Sequence, residues 1–111
     1  MAIPRSENTA MQLVNMDVKF MEHILETMED CEHQQISITT RGKLRDVLDL
    51  TEKLYDGFAF SYNDVCDNFN YLPDSMKEAT YNFVKDMRRD FFRLLERVFY
   101  EPLAQGIQTL Q

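Results

Sequence analysis

Apolar and aromatic residues recur at alternating steps of four and three between residues 44 and 72. The series is Leu44, Leu48, Thr51, Tyr55, Phe58, Tyr62, Val65, Phe69 and Leu72. A repeat of about 3.5 residues keeps one stripe of a helix facing a neighbouring helix along its whole length. The pattern therefore predicts a long central helix over residues 40–71, packed lengthwise in a bundle. Leu72-Pro73 ends this helix, because the residue before a proline is pushed out of the α region.

A second stretch with helical spacing precedes the central helix, over residues 8–33. Thr9 and Gln12 have the spacing of a capping box at its start. Its main apolar stripe is Met11, Val14, Val18, Met21, Leu25 and Met28. A second stripe lies almost opposite on the helical wheel: Leu13, Met16, Phe20, Ile24 and Cys31. A helix on the outside of a monomeric bundle needs only one such stripe, so the second one predicts a partner.

A third helix is predicted over residues 75–101, with Ser75 and Glu78 as its capping box. Its core stripe is Thr80, Val84, Met87, Phe91, Leu94 and Val98. Four residues widen this stripe to an apolar arc of about 200°: Tyr81, Phe92, Leu95 and Phe99. Pro102 is expected to kink or end the helix, and the residues after it to form a short turn or to fray.

The predicted fold is all-α: a three-helix antiparallel up-down-up bundle with a long central helix, in a single helical-bundle domain over residues 1–111. Three glycines and three prolines in 111 residues leave little material for the turns of a sheet. Gly57 does not change the phase of the central pattern, so we expect one continuous helix with at most a bend. In the preceding connector, Ile36 or Ile38 is expected to pack at the entrance of the central helix, over a Ser or Thr cap.

The formal net charge of -7 argues against a nucleic-acid binder of the usual kind, since neutralising phosphates needs a basic face. One basic cluster lies on the third helix: Arg88, Arg89, Arg93 and Arg97. Acidic residues alternate with it three or four positions away, so most of its charge is expected to be used in ion pairs on the same face. A nucleic-acid-associated regulator that uses this arginine face remains an alternative function.

Residues that could bind a metal or catalyse a reaction are sparse. His23 and His33 lack the paired Glu-x-x-His spacing of di-metal bundles and are predicted to be surface residues. Cys31 and Cys66 have no metal or redox spacing and are expected to be buried or half-buried free thiols. We therefore predict no enzymatic activity, no catalytic residues and no cofactor. A metal- or small-ligand-binding bundle with a site formed across a dimer remains a second alternative.

Surplus apolar surface is the strongest functional signal in the sequence. Seven methionines, eight phenylalanines and five tyrosines are present, and these side chains are typical of protein interfaces. The leading prediction is a non-enzymatic protein-binding module that acts as an adaptor, chaperone or regulator. It is expected to be dimeric and to bind through apolar helix faces. The predicted protein-binding residues are Leu13, Met16, Phe20, Phe60, Phe92, Leu95 and Phe99.

The expected partners are another protein, a second copy of the chain, or both. No run of the sequence approaches the 18 apolar residues that indicate a membrane span, and the first residues contain no apolar signal segment. We therefore expect a cytoplasmic protein without membrane contact, or an exported effector that uses another kind of signal.

Overall fold

The computed structural model describes residues 6–110, which form three antiparallel helical runs without any strand. Helix α1 is Glu7–Gln34, α2 is Arg41–Asn68, α3 is Asp74–Leu94 and α4 is Glu101–Leu110; a 3-10 turn, Phe69–Tyr71, follows α2, and a π segment, Leu95–Tyr100, joins α3 to α4. The predicted all-α three-helix bundle is confirmed, and α2 runs through Gly57 without a break. The predicted domain range of 1–111 includes residues 1–5 and 111, which lie outside the described residues.

Side-chain caps set where α1 and α2 begin. The Ser6 hydroxyl accepts a hydrogen bond from the Thr9 N–H at 3.1 Å, so α1 begins at Glu7 and the predicted cap at Thr9 is wrong. The Thr40 hydroxyl accepts one from the Lys43 N–H, also at 3.1 Å. This hydrogen bond confirms the predicted Ser or Thr cap of α2.

Helix α3 begins at Asp74, one residue earlier than predicted, and has no side-chain cap. The Met76 N–H donates to the Pro73 carbonyl at 2.9 Å, which places Ser75 inside the first turn. The predicted capping box at Ser75 is therefore wrong, because Pro73 already occupies the cap position.

Pro102 does not end the third helical run, and the predicted end at residue 101 is wrong. A proline has no N–H to bond the carbonyl four residues back, here that of Val98, and its ring crowds that carbonyl. The π segment widens the turn just before the proline, and the Glu101 N–H donates to the Glu96 carbonyl, five residues back. The run therefore continues to Leu110 as α4, which packs against α2.

The connector between α1 and α2 packs against α4. Ile38 is buried, while the expected packing of Ile36 or Ile38 at the entrance of α2 stays a prediction. A Cβ atom on Gly106 of α4 would lie 2.6 Å from the Ile38 Cβ, which is closer than two carbon atoms can approach. Gly106 is therefore required for this contact, and it holds α4 at the end of the bundle where α2 begins.

The buried face of α2 is rotated from the predicted seam. Part of that seam is buried as predicted: Thr51, Phe58, Val65 and Leu72. A second row with the same seven-residue step is also buried, although the pattern did not predict it: Leu54, Ser61 and Asn68. The rest of the predicted seam is exposed or half-buried: Leu44, Leu48, Tyr55, Tyr62 and Phe69. The cause is that α1 covers the side of α2 that carries the unpredicted row.

The molecule is long and flat, with principal extents of 53 × 28 × 16 Å. Its radius of gyration of 17.2 Å exceeds the value of about 13 Å that is typical of a compact domain of this length. A flat shape covers less apolar surface, and most aromatic side chains are exposed: Phe20, Tyr55, Phe60, Tyr71, Tyr81, Phe83, Phe92 and Tyr100.

Candidate protein-binding surfaces

Helices α1 and α2 approach closely at the α1–α2 seam, which we define by Gly57 and Ser61 of α2 with Phe20 and Ile24 of α1. A Cβ atom on Gly57 would lie 3.2 Å from the Phe20 ring and 3.3 Å from Cδ1 of Ile24. Ser61 is buried one turn further along α2. Small residues at a helix contact shorten the distance between the helix axes. The seam is therefore closed, without room for a further element.

Two carboxyl groups meet between the same helices. Asp17 of α1 is buried, and among the described residues its Oδ2 atom has no hydrogen-bond donor. Burial, together with a hydrogen bond to Asp64 of α2 and the negative charge of Asp64, raises the pKa of Asp17 from 3.8 to about 7. A proton on Asp17 lets its carboxyl donate to Asp64, so Asp17 changes its charge near pH 7.

The other side of α2 is open. The Cα atoms of α2 and α3 scarcely approach within 8 Å of each other, because the Phe58 and Phe91 rings are stacked between the two helices with their centroids 4.1 Å apart. The space left outside these rings is the α2–α3 groove. The apolar repeat of its α2 wall is Leu44, Leu48, Tyr55, Tyr62 and Phe69. Its other wall includes Tyr81, Arg88, Phe92, Tyr100, Ile107 and Leu110 of α3, the π segment and α4.

The groove is made of four successive cavities along α2. Each pair of successive cavities shares a lining residue: Leu48 between the first two, Tyr55 between the next two and Tyr62 between the last two. A cavity of about 660 Å³ lies between the last turns of α2 and the middle and last turns of α3, next to Val65 and Val84. We call this the wide end. The groove is therefore one long surface on which α2 presents side chains every seven residues.

The rim of the wide end is basic. Lys85, Arg88 and Arg89 line it, and none of its lining residues is acidic. The Arg88 guanidinium lies 5.5 Å from the centroid of the Tyr62 ring and 5.6 Å from that of Phe92, so it spans the groove in two cation–π contacts. Within residues 6–110, neither Lys85 nor Arg88 has an ion pair. Two cations at the groove are therefore free to meet carboxylates of a ligand.

A second apolar surface, the outer patch, lies on the other side of α2 and consists of Met16, Phe20 and Phe60. Met16 is 66% exposed and Phe60 is 72% exposed. Phe20 rests on Gly57, one helical turn before Phe60, and is 46% exposed. None of these three residues lines the groove.

The seven predicted protein-binding residues do not form one site. Phe92 lies in the groove, Met16, Phe20 and Phe60 form the outer patch, and Leu13 is half-buried beside it. Leu95 and Phe99 are fully buried, and the prediction that they bind a partner is corrected. They lie in the π segment, which contacts α1 and α2 as well as α4, so its apolar sides are covered inside the chain.

Sequence reasoning assigned the groove residues of α2 to the core. Leu48, Tyr55, Tyr62 and Phe69 were recognised as an apolar repeat, but their position facing the groove was missed. The signal that could have found it is the row of small residues, Gly57 and Ser61, on the neighbouring sector of the same helix. Small residues indicate where two helices approach most closely. Placing the helix contact of α2 at Gly57 and Ser61 would have left the apolar repeat on a different side of the helix.

The predicted ion pairs along the same face are present for two of the four arginines, and a third arginine has an ion pair elsewhere. Arg89 contacts Asp86 and Asp90 at 3.4 and 3.6 Å, and Arg93 contacts Asp90 at 3.5 Å. Arg97 pairs with Glu32 of α1 at 2.7 Å, across the bundle and not along its own helix. The remaining arginine, Arg88, is the one that crosses the groove.

The two cysteines have different environments. Cys31 is half-buried, and burial followed by the charge of Asp30 raises the pKa of its thiol. Cys66 is exposed and lines the wide end of the groove, so the prediction that it is buried or half-buried is wrong. The reason is that α3 stands away from α2 at this position.

His23 and His33 are exposed, as predicted. Over the described part of the chain, no three side chains of His, Cys, Asp or Glu are grouped so that they could hold a metal ion. A metal site formed across a dimer stays a prediction.

None of the helices within residues 6–110 has both the length and the apolar character needed to span a membrane. Comparison of the chain with protein-family models, with curated proteins and with solved structures finds no match among any of the three.

Proposed function

We propose that this protein is a non-enzymatic protein-binding module, an adaptor, chaperone or regulator, that binds a helix of a partner in the α2–α3 groove. The observation that carries this proposal is the open position of the repeat Leu48, Tyr55, Tyr62 and Phe69. A seven-residue apolar repeat is the pattern with which one helix packs along another. A repeat that the chain leaves exposed or half-buried therefore favours a helix from elsewhere.

The side chains of the groove favour binding energetically. Tyr55, Phe92 and Tyr100 are 44–48% exposed, and covering an aromatic side chain of this kind contributes on the order of 1 kcal/mol. Tyrosine is also enriched among the residues that dominate interface energies, because its ring is apolar while its hydroxyl still finds a hydrogen-bond partner. Several such residues in one groove supply enough apolar contact for a stable complex.

Homodimerisation is part of the proposal and is assigned to the outer patch. Met16, Phe20 and Phe60 are exposed apolar residues on a face that the groove does not use. A twofold dimer buries the same patch of both copies, so this surface suits self-association while the groove stays available. The protein is proposed to act in the cytoplasm.

The matched variants Phe92→Asp and Phe83→Asp test the groove. Both residues are on α3 and are equally exposed, at 45% and 44%, but only Phe92 lines the groove. Each purified variant is used to capture proteins from lysate of the source cells. The proposal expects Phe92→Asp to lose a partner that the wild-type protein and Phe83→Asp retain. Equal capture by all three proteins would overturn the groove as the binding site.

The outer patch is tested by solution mass, measured by light scattering over a dilution series. A dimer in the wild-type protein that becomes a monomer in Phe60→Asp supports the assignment. A dimer that persists in Phe60→Asp but dissociates in Phe92→Asp would move self-association to the groove.

A further inference from the structure

The length of the α2–α3 groove limits what can fill it. The groove runs along α2 from Leu44 to Phe69. At about 1.5 Å per residue this distance is close to 38 Å, which is the length of a helix of about 25 residues. The groove walls are helices, whose backbone hydrogen bonds are already made within each helix, so they offer no sheet edge to an extended peptide. The occupant that fits is a long amphipathic helix.

A second copy of the chain fits less well. The stripes that its helices use for their own core are buried, and its long exposed stripe is its own groove. Two grooves that face each other about a twofold axis at their middle would bring the two Asp56 carboxylates together. The exposed residues of its α1, Met16 and Phe20, span about 6 Å along the helix. That stripe is a small fraction of the groove, so most of the α2 repeat would stay uncovered in such a contact.

The charges along the groove indicate the chemistry of the occupant. Lys85 and Arg88 at the wide end have no ion pair within residues 6–110, and no acidic side chain lines that end. About ten residues back along α2, the lining contains Glu52 and Asp56 instead, and charges of both signs line the opposite end of the groove: Arg41, Arg45 and Asp49. A nucleic acid carries uniform negative charge and would meet these carboxylates with repulsion. A helix can alternate its charges to match both regions.

We propose that the groove binds an amphipathic helix of about 25 residues from another protein, with carboxylates facing Lys85 and Arg88 and basic residues about three turns further along, facing Glu52 and Asp56. This inference rests on the proposed function, because it names the partner of the same groove. Charge complementarity sets the direction in which the helix lies, and the seven-residue repeat of α2 supplies the apolar contact.

Two synthetic 25-residue helices test the charge register. Both carry Leu at every a and d position of the heptad. The matched peptide has Glu on the flanking positions of its first third and Lys in its middle third, and the swapped peptide exchanges Glu and Lys. Binding is measured by fluorescence anisotropy at low salt. We expect the matched peptide to bind at least about tenfold more tightly than the swapped one, which corresponds to about 1.4 kcal/mol.

Two charge-reversal variants locate the effect. Arg88→Glu is expected to weaken the preference for the matched peptide, because the reversed charge lies inside the groove while Lys85, Glu52 and Asp56 are unchanged. Arg93→Glu is the control on the same helix; Arg93 pairs with Asp90 and does not line the wide end, so the preference should be unchanged. If both variants lost the preference for the matched peptide to the same extent, the preference would reflect the overall charge of the protein. That result would overturn the inference.

Cys66 reports whether the peptide lies in the groove. Its thiol is exposed at the wide end, whereas Cys31 is half-buried on α1 and serves as the internal reference. At saturating concentration, the matched peptide is expected to slow thiol modification at Cys66 by at least about tenfold, because the rate falls with the fraction of protein whose groove is occupied. The rate of modification at Cys31 should be unchanged. Binding without protection of Cys66 would place the peptide elsewhere and would overturn the inference.

The outcomes separate this inference from the proposed function. Equal binding and equal protection by both peptides would overturn the charge register and leave helix binding intact. If a single-stranded oligonucleotide protected Cys66, the occupant of the groove would be a nucleic acid and not a partner helix. If Cys66 became protected when the protein alone is concentrated, the occupant would be a second copy of the chain. If neither peptide binds while the capture in lysate still depends on Phe92, the helical occupant is wrong and the groove remains the binding site.

Discussion

The two sides of α2 are packed in opposite ways. On the α1 side, Gly57 and Ser61 let the neighbouring helix approach until Phe20 and Ile24 lie 3.2 and 3.3 Å from the place that a Cβ atom of residue 57 would take. On the α3 side, Phe58 stacks on Phe91 and the two backbones stay apart. The distance between packed helices follows the size of the side chains at the contact. Residue size, and not the apolar pattern alone, therefore decides whether a helix face becomes closed core or an open groove.

Removing the spacer between α2 and α3 should have the largest effect. Phe91 is 1% exposed and touches the rings of Phe58, Tyr55 and Phe92. Phe91→Ala is expected to lower the free energy of unfolding by about 3–5 kcal/mol, through lost burial and the cavity left behind. Urea denaturation measures this value. Phe83→Ala, at an exposed position of the same helix, should change it by less than about 0.5 kcal/mol, and a similar loss in both variants would contradict the role of Phe91.

Substitution of a small residue by a larger one should cost more stability in the closed α1–α2 seam than in the open groove. Gly57→Leu is expected to lower the free energy of unfolding by about 2–3 kcal/mol, because Phe20 and Ile24 occupy the space that the new side chain needs. Cys66→Leu, on the same helix but lining the groove, should change it by less than about 0.5 kcal/mol. The same urea titration measures both variants. An equal loss in the free energy of unfolding for both variants would show that the two sides of α2 are packed equally tightly.

The acid pair gives the α1–α2 seam a pH dependence. Because the pKa of Asp17 is raised from 3.8 to about 7, the folded state holds a proton that the unfolded state has lost between these values. This contribution to stability is therefore complete below about pH 4 and is lost as the pH rises towards 7. Asp17→Asn keeps the size of the side chain and a donor for Asp64 without the charge.

We expect Asp17→Asn to match the wild-type protein at pH 4 and to exceed it at pH 8, by on the order of 1–2 kcal/mol or about 4–8 °C in Tm. Thermal unfolding at a series of pH values measures the difference. Asp67→Asn, at an exposed position of α2, is the control and should show no such pH-dependent gain. A constant difference between Asp17→Asn and wild type at every pH would contradict the buried proton.

The smallest effect compares two glycines of α2. Gly42 lies in the first turn, where the nearest atom to an added Cβ is Thr40 Oγ1 at 3.7 Å. Gly42→Ala is expected to stabilise the protein by about 0.5 kcal/mol through helix propensity and lower entropy of the unfolded chain. At Gly57 the same gain is offset by the tight contacts with α1, so Gly57→Ala should be close to neutral. Thermal unfolding measures both variants. An equal increase in Tm for Gly42→Ala and Gly57→Ala would contradict the tight contact between Gly57 and α1.

The candidate site was predictable in part. The repeat of Leu48, Tyr55, Tyr62 and Phe69 is visible in the sequence, and Phe92 was assigned to a binding face. Leu95 and Phe99 were assigned to the same face, because a regular 3.6-residue helix would place them beside Phe92. The π segment before Pro102 changes the helical repeat there and turns both residues into the core. Such a local change is decided by the contacts of the proline and of the surrounding helices.

The sequence by itself determined the number and order of the helices, the cap of α2 at Thr40 and the ion pairs of Arg89 and Arg93. Each of these depends on residues that are at most a few positions apart along the chain. The tertiary structure alone decided which side of α2 is covered, how α4 closes on Ile38 through Gly106, and that Arg88 crosses an open groove. These features depend on the spacing between helices, and that spacing is set by side chains that are distant in sequence and meet only after folding.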